Sequence, residues 1–361
     1  MDDFLDDLRR LVEVESPSLD LTAIDRSAIA LATLLAERLG APAALVASES
    51  GPHVWWRGEG EPRVLLVGHH DTVHPLGTLA AMPFVVEGQR VTGPGVFDMK
   101  GGIVQAIHAL AALDDRSGIE VLITSDEEVG SLASRALIEE RARAAGAVLV
   151  LEPSADGGAL KTGRKGTGTF VLTVAGRAAH AGLEPEKGIN ALVEAAHLVL
   201  AVAGFGDPAV GTTVTPTVAG AGTADNVVPA SATIRVDARV ESAAETERVE
   251  RAIRSLTTTV PGAELTITGG IGRPPMPTSA SAGLFAVAER AAATAGLAPV
   301  TGVAVGGGSD GNFTAAIGVP TLDGLGAVGG GAHSEHEHLL LDTVPDRIAL
   351  LTAIIAAIRS R

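Results

Sequence analysis

The chain has 361 residues, 46% hydrophobic and 19% charged, which is enough for two packed domains and leaves little room for extended disorder. Its formal net charge of -16 argues against nucleic acid or an anionic membrane as a partner. Because cysteine is absent, disulfides and cysteine nucleophiles are excluded, and any metal must be held by His, Asp or Glu. The acidic start MDDFLDDLRRLVEV lacks a secretory pattern and no segment has the length of a membrane span, so we expect a cytoplasmic location.

Helical periodicity opens the chain near residues 2–14 and 22–39, and short apolar runs then alternate with further helical patterns. The runs predicted as strands are 63–68, 119–125 and 147–152, and the helices between them are 99–113 and 131–146. Alternation of this kind predicts an α/β domain with a mostly parallel sheet covered by helices.

The pattern changes after about residue 160. GTFVLTVAG, VGTTVTPTVAG and ASATIRVDARV alternate like half-exposed strands, and residues 188–203 and 243–259 follow a helical period, which predicts a small α+β sandwich of the ferredoxin-like type. GGIGRPPMP (269–277) has the composition of a linker, after which helices near 281–296 and 343–359 resume the α/β pattern. We therefore expect an inserted domain at 165–273 within an α/β domain formed by 1–164 and 274–361.

Polar motifs follow the predicted strands of the α/β domain, at the edge where open α/β sheets bind their ligands. In GHHDTVHP, His69 and Asp71 are two residues apart, so an extended segment aims both side chains the same way. In GPGVFDMKGG, Asp98 precedes a predicted helix. A polar turn explains the first motif equally well, and a helix N-cap is the ordinary explanation for Asp98.

Three further motifs carry the same residue types. In SDEEVGS, Glu127 and Glu128 belong to a run of three carboxylates that repel one another unless cations or solvent compensate. In VLEPS, Glu152 ends an apolar strand, and in GGGAHSEHEHL, His333 follows glycines that let the backbone approach a site closely. Taken singly, an exposed helix start, a salt bridge and a solvated loop explain these three motifs as well.

Together and in this order, the motifs resemble the family of cocatalytic zinc aminoacylases and carboxypeptidases. The pattern H-x-D matches His69 and Asp71, an Asp before Lys-Gly matches Asp98, and a Glu-Glu pair matches Glu127 and Glu128. A later Glu-Pro and a glycine-rich loop ending in His match Glu152 and His333. GRAAHAG, GINALVEAAHLVL and NVVPASAT in the inserted domain resemble the glutamate carboxypeptidase branch most.

This resemblance implies a di-zinc amidohydrolase, with cobalt or manganese as substitutes for zinc. Asp98 bridges the two ions, His69 and Glu152 complete one site, and Glu128 and His333 complete the other. Glu127 is then the general base, and Asp71 orients the imidazole of His69. The peptide bond between Asp98 and Met99 is expected to be cis.

The resemblance also implies a substrate and a quaternary structure. The substrate is a small molecule or short peptide with a free carboxylate, which Arg239 binds with help from Asn226 and from His180 of the partner subunit. The inserted domain acts as a lid and pairs two chains into a homodimer. From the residues alone, Arg239 is explained as well by a surface ion pair with Asp237 or Glu241.

Several other functions compete with a di-zinc carboxypeptidase. An N-acyl-amino-acid deacylase, of the acetylornithine or succinyl-diaminopimelate type, would use the same machinery. A serine hydrolase could use Ser309 in GGGSDGN, although no G-x-S-x-G motif is present. A noncatalytic metal-binding protein would be expected to have lost Glu127 or a ligand, and none is lost.

Overall fold

The computed structural model describes residues 1–360, which form two compact units. The main unit consists of Met1–Arg164, Met276–Val305 and the chain from Ser309 onward. The inserted unit consists of Lys165–Pro275 with the short segment Gly306–Gly308. Separate hydrophobic cores stabilise the two units.

The helices of the described chain are α1 (Asp2–Val12), α2 (Leu21–Leu39), α3 (Thr78–Ala81), α4 (Gly101–Ala111), α5 (Arg135–Ala145), α6 (Ala191–Ala203), α7 (Ala243–Arg254), α8 (Thr278–Thr294), α9 (Gly311–Ala316) and α10 (Val344–Arg359). Capping residues account for their ends. Helix α2 begins after Asp20, whose carboxylate accepts a hydrogen bond from the Ala23 amide, and ends before Gly40 in the left-handed conformation (φ 73°). Among residues 1–360, no helix has both the length and the apolar character needed to cross a bilayer.

The strands are β1 (Ala44–Val46), β2 (His53–Arg57), β3 (Val64–His69), β4 (Val85–Glu87), β5 (Arg90–Thr92), β6 (Ile119–Thr124), β7 (Val148–Val150), β8 (Leu160–Arg164), β9 (Gly166–Ala175), β10 (Thr213–Ala221), β11 (Ser231–Val240), β12 (Glu264–Arg273), β13 (Gly302–Val305), β14 (Thr321–Leu322), β15 (Gly329–Gly330) and β16 (His338–Leu340). Strands β8 and β13 form a parallel pair, and β15, β16, β5 and β4 form a small antiparallel sheet.

A six-stranded sheet of order β1-β2-β6-β3-β7-β14 is the centre of the main unit. Strands β6, β3, β7 and β14 run parallel, whereas β2, near one edge, runs antiparallel to both of its neighbours, β6 and β1. Every residue of β3, VLLVGH, is buried, which is typical of a strand with both faces covered. The predicted α/β fold class is confirmed; the short edge strands β1 and β2 are not predicted.

The inserted unit follows the order βαββαβ, with an antiparallel sheet β10-β11-β9-β12. Side chains of β9 and β11 alternate between a buried face and an accessible face. The buried face packs against α6 and α7 in one hydrophobic cluster. This connectivity is that of a ferredoxin-like sandwich.

The linker predicted at residues 269–277 is wrong in its first half, because β12 continues to Arg273. Gly269 and Gly270 lie in this strand opposite β9. A Cβ atom at Gly269 would lie 2.1 Å from the carbonyl oxygen of Thr169. Glycine here therefore permits close approach of two strands rather than a flexible connection.

Candidate metal centre

Three groups of candidate ligands follow neighbouring parallel strands. His69 is the last residue of β3, Glu152 lies just beyond β7, and the 3₁₀ turn Glu127–Val129 follows β6. Because β6, β3 and β7 are adjacent and parallel, these strand ends meet at one edge of the sheet. This is the edge at which open α/β sheets bind their ligands.

Asp98 reaches the same edge from an irregular segment between β5 and α4. The segment turns at Gly95 (φ 74°), and the peptide bond between Asp98 and Met99 is cis, which confirms the prediction. Oδ1 of Asp98 lies 3.2 Å from Nε2 of His69, and Oδ2 lies 3.5 Å from Nε2 of His333. The two oxygens of one carboxylate thus face two different imidazoles, as a carboxylate that bridges two cations must.

Each imidazole also faces a second carboxylate. Nε2 of His69 lies 3.5 Å from Oε1 of Glu152, and Nε2 of His333 lies 3.1 Å from Oε2 of Glu128. His69 is buried, whereas about half of the His333 side chain (51%) is exposed. The structure therefore brings together all five predicted ligands, in the two groups that the sequence resemblance implies.

The chemistry of this cluster fits divalent metal ions. Within residues 1–360, Nε2 of His69, Oδ1 of Asp98 and Oε1 of Glu128 are buried without a hydrogen-bond partner. Ligand atoms of these three residues lie within 4.8 Å of one another. Unsatisfied polar atoms are costly to bury, and two metal ions bridged by Asp98 would satisfy all three. Imidazole and carboxylate donors suit zinc, cobalt and manganese.

Proton affinities in the cluster show how strongly it attracts positive charge. Hydrogen bonding to Asp98 and Glu128 raises the pKa of His333 from 6.5 to about 10. Burial opposes protonation of His69, but the surrounding carboxylates outweigh it and raise its pKa well above 6.5. Burial alone would raise the pKa of Asp98, yet the two imidazoles lower it below its ordinary value. Metal ions would supply this positive charge in place of protons.

Asp71 organises the turn that carries the glutamate pair. Its buried carboxylate accepts hydrogen bonds from the backbone amides of Glu127 (3.2 Å) and Glu128 (3.3 Å) and from the hydroxyl of Ser18 (2.7 Å). Its backbone oxygen lies 3.0 Å from Nδ1 of His69, while its carboxylate is farther away at 3.5 Å. Both the backbone oxygen and the carboxylate of Asp71 thus face Nδ1 of His69, and the carboxylate also holds the turn.

Glu152 is held by a buried ion-pair network that the sequence analysis missed. Arg164 binds Asp323 through two hydrogen bonds (2.6 and 3.0 Å) and donates a third, of 3.2 Å, to Oε2 of Glu152. Nζ of Lys161 lies 4.0 Å from the same oxygen. These contacts turn Oε1 of Glu152 toward His69. The available signal was that Asp323, like Glu152, directly follows a buried strand, here the two-residue β14.

Two residues bear on competing assignments. Glu127 has a carboxylate oxygen within 4.8 Å of ligand atoms of His69 and Glu152, so geometry alone allows it to act as a base or a ligand.

Ser309 is fully buried and donates a 2.6 Å hydrogen bond to Asp323. That position gives Ser309 a structural role and does not support a serine nucleophile.

The three predicted substrate-binding residues lie in the inserted unit and separate into two places. His180 and Asn226 are adjacent, since the backbone oxygen of Asn226 accepts a hydrogen bond from the Ala181 amide. Nδ1 of His180 accepts hydrogen bonds from two backbone amides, each at 3.1 Å, which leaves the ring proton on Nε2. His180 can therefore act as a hydrogen-bond donor.

Arg239 lies at the opposite end of the inserted sheet. His180 follows β9 and Asn226 precedes β11, at the sheet end where Ala175 pairs with Ser231. Arg239 pairs with Thr167 at the other end, eight residues along β11, or roughly 26 Å at the usual strand rise. Nε and Nη2 of Arg239 donate to Asp237 at 3.0 and 2.9 Å. The surface ion pair considered above is thus present.

Comparison with known proteins defines the class of this protein. Residues 65–357 match the model of peptidase family M20/M25/M40. Carboxypeptidase G2 of Pseudomonas sp. (strain RS-16) is 36% identical over 318 residues, covering 83% of this chain and 74% of the relative. A succinyl-diaminopimelate desuccinylase of Halorhodospira halophila is 30% identical over 334 residues, covering 85% and 87%.

The fold agrees with this assignment. An M20 family metallo-carboxypeptidase from Sulfolobus solfataricus superimposes with a TM-score of 0.81 at 17% identity, and the match covers 100% of both chains. The chain belongs to peptidase family M20/M25/M40. It is a metal-dependent hydrolase of the peptidase and amidohydrolase type, which confirms the predicted family and class of enzyme.

We expect the metal-free protein to bind two divalent ions per chain, and Asp98→Asn to bind fewer than two. Asparagine keeps the size of the side chain but removes the charge that faces both imidazoles. An ion that binds only the folded state, and whose free concentration is 100 times its dissociation constant, adds about 2.7 kcal/mol to the free energy of unfolding. Zinc titration by calorimetry and thermal unfolding with and without chelator measure both effects.

Asp156→Asn is the matched control, because Asp156 is exposed in the main unit and its substitution changes the charge equally. This variant should bind two ions with unchanged affinity. Two ions bound by Asp98→Asn as tightly as by the wild type would contradict a bridging Asp98.

Proposed function

We propose that the protein is a di-zinc carboxypeptidase that releases a C-terminal amino acid, glutamate in particular, from a short peptide or an N-acylated amino acid. One observation carries this proposal: the two carboxylate oxygens of Asp98 face His69 and His333, which belong to different groups of ligands. Similarity to carboxypeptidase G2 over 83% of the chain supports the choice of reaction.

Bound zinc supplies Lewis acidity, which polarises the scissile carbonyl and lowers the pKa of the attacking water. Glu127 accepts the proton of that water and passes it to the leaving nitrogen. Two features support this role. The Glu127 carboxylate is within reach of His69 and Glu152, and its backbone amide is held by Asp71. Glu128 has a close contact with His333 and serves as the ligand of the pair.

Arg239 is proposed to bind the free carboxylate of the substrate. Asp237 occupies the side of the guanidinium formed by Nε and Nη2, which leaves the edge formed by Nη1 and Nη2 for a second carboxylate. A planar fork of this kind meets a carboxylate with two parallel hydrogen bonds. His180 donates from Nε2 to the carbonyl oxygen as negative charge develops on it, and Asn226 lies beside His180.

A homodimer is part of the proposal, because it would reconcile the separation of these groups with a single substrate site. Arg239 and the pair His180 and Asn226 lie at opposite ends of one sheet, whose strand β11 spans roughly 26 Å between Ser231 and Arg239. A substrate the size of an acylated amino acid cannot reach both ends within one chain. If both contribute to one site, we infer that the second chain supplies His180 and Asn226.

An N-acyl-amino-acid deacylase is the second candidate, favoured by the 30% identity to a succinyl-diaminopimelate desuccinylase over most of both chains. The metal centre and Glu127 would act in the same way on either substrate. A hydrolysis screen of peptides ending in glutamate against N-acetyl and N-succinyl amino acids, with zinc or cobalt added, separates the two functions.

Glu127→Gln is expected to lower kcat by about 10²–10⁴-fold, because glutamine cannot accept the proton. Metal content, measured by atomic emission on the same preparation, should stay at the wild-type level. Parallel loss of metal and activity would make Glu127 a ligand and would contradict its assignment as the base.

Arg239→Lys is expected to lose about tenfold or more in kcat/KM on a substrate with a free carboxylate, since lysine is only a point charge. On the matching amide the loss should be far smaller. Arg235→Lys is the control, because Arg235 lies on the same face of β11. Equal losses on both substrates would show that Arg239 supports the fold rather than the substrate.

Mixing two inactive variants tests whether chains share a site. A dimer of one Arg239→Ala chain and one His180→Ala chain has one site with both lesions and one intact site, provided that the two residues come from different chains. Random exchange of equal amounts makes half of the dimers mixed, so about a quarter of wild-type activity should return. No recovery after verified exchange would mean that both residues act from one chain.

A further inference from the structure

Glu337 is a buried carboxylate in the main unit that the mechanism above does not use. It lies four residues after His333, and its side chain is 1% exposed. Oε1 accepts hydrogen bonds from the backbone amides of Phe97 and Asp98, both at 2.9 Å. Oε2 accepts one from the Gly95 amide at 2.9 Å and lies 2.8 Å from Nε2 of His74. Each oxygen therefore serves two hydrogen-bonding groups.

These contacts hold the irregular segment that carries Asp98. Its backbone amides at Gly95, Phe97 and Asp98 all turn toward one carboxylate, and the Asp98 amide belongs to the bridging residue itself. Hydrogen bonds from amides to a carboxylate are stronger than those to a neutral acceptor. The main chain at Asp98 is thus held directly by Glu337.

The chain between Glu337 and His333 is equally constrained. Gly331 adopts a left-handed conformation (φ 76°), the Ser334 amide donates to its carbonyl oxygen, and the Glu337 amide donates to that of Ser334. Strand β16 begins at the next residue and pairs with β5. The position of Glu337 therefore limits where His333 can lie.

We propose that Glu337 is a positioning residue that holds Asp98 and His333 in register for the metal ion they share. This inference rests on the metal centre proposed above. Oδ2 of Asp98 and Nε2 of His333 lie 3.5 Å apart, although the two residues are 235 positions apart in the chain. Glu337 is hydrogen-bonded to the Asp98 segment and is covalently continuous with the His333 turn.

Glu337→Gln is the sharpest variant because it keeps the size of the side chain. One of its two terminal atoms becomes an NH₂ group, which cannot accept a hydrogen bond. It must face either the amides of Phe97 and Asp98 or the Gly95 amide and His74, so the hydrogen bonds on that side are lost. Loss of such outer hydrogen bonds typically lowers metal affinity by about 10–100-fold. We expect a loss of that size for one of the two ions, with the other ion less affected.

Glu335→Gln is the matched control, since Glu335 is exposed in the same turn and its substitution changes the charge equally. The experiment titrates metal-free wild type, Glu337→Gln and Glu335→Gln with cobalt against a competing chelator. It records the visible spectrum of the bound cobalt and, separately, the unfolding temperature of each metal-free protein. Weaker binding and an altered cobalt spectrum in Glu337→Gln alone are the expected result.

Wild-type affinity and spectrum in Glu337→Gln would overturn the proposal, even if the metal-free variant unfolds at a lower temperature. That result would show a merely structural carboxylate. If Glu337→Gln does not fold, Glu337→Asp takes its place, because the shorter side chain cannot reach both groups of donors. Weaker cobalt binding with an altered spectrum would then support the proposal, and wild-type affinity and spectrum would overturn it. Failure of the wild type to bind two ions would instead contradict the di-metal centre itself.

Discussion

Repulsion among carboxylates is the constraint on which the main unit depends. Asp98, Glu127, Glu128 and Glu152 meet at one edge of a mostly parallel sheet, and a protein cannot hold four such groups together in ionised form without compensating charge. Part of the compensation is built in, through the ion pair of Arg164 with Glu152 and the high proton affinity of both imidazoles. The remainder is what a pair of divalent cations would provide.

A second layer of buried carboxylates holds the loops that carry the first. Asp71 accepts the amides of the Glu127 turn, and Glu337 accepts the amides of the Asp98 segment. Asp126 likewise accepts the amides of Ala133 and Ser134 at the start of the next helix. Irregular backbone cannot satisfy its own amides, and a carboxylate can accept several of them at once. Each of these segments is therefore held by a side-chain carboxylate in place of the hydrogen bonds of an α-helix or a strand.

The two layers differ in how well the sequence predicts them. His69, Asp98, Glu128, Glu152 and His333 were predicted because they follow apolar strands or glycine turns and because their order matches a known family. Asp323 follows a strand too, yet its partner Arg164 lies 159 positions away, and no local pattern indicates that such a pair forms. Glu337 stands in a loop of histidines and glutamates that looks solvated. Glu337 lies two positions before Leu339, and both are buried. In a strand, residues two apart share a face, so this spacing is the one local indication that Glu337 is buried.

The inserted unit shows the same limit at longer range. Its alternating strands and two helices predict the sandwich, because the spacing of hydrophobic residues indicates which face of each element is buried. The spacing of hydrophobic residues does not indicate that Arg239 and His180 lie at opposite ends of the sheet, since that depends on how β9 and β11 pair. Exposed Leu192, Val193 and Leu200 on α6 give the unit an apolar surface beyond its own core. On the proposed function, a second chain would cover this surface and complete the substrate site. Substrate binding and dimer formation would then both depend on this unit.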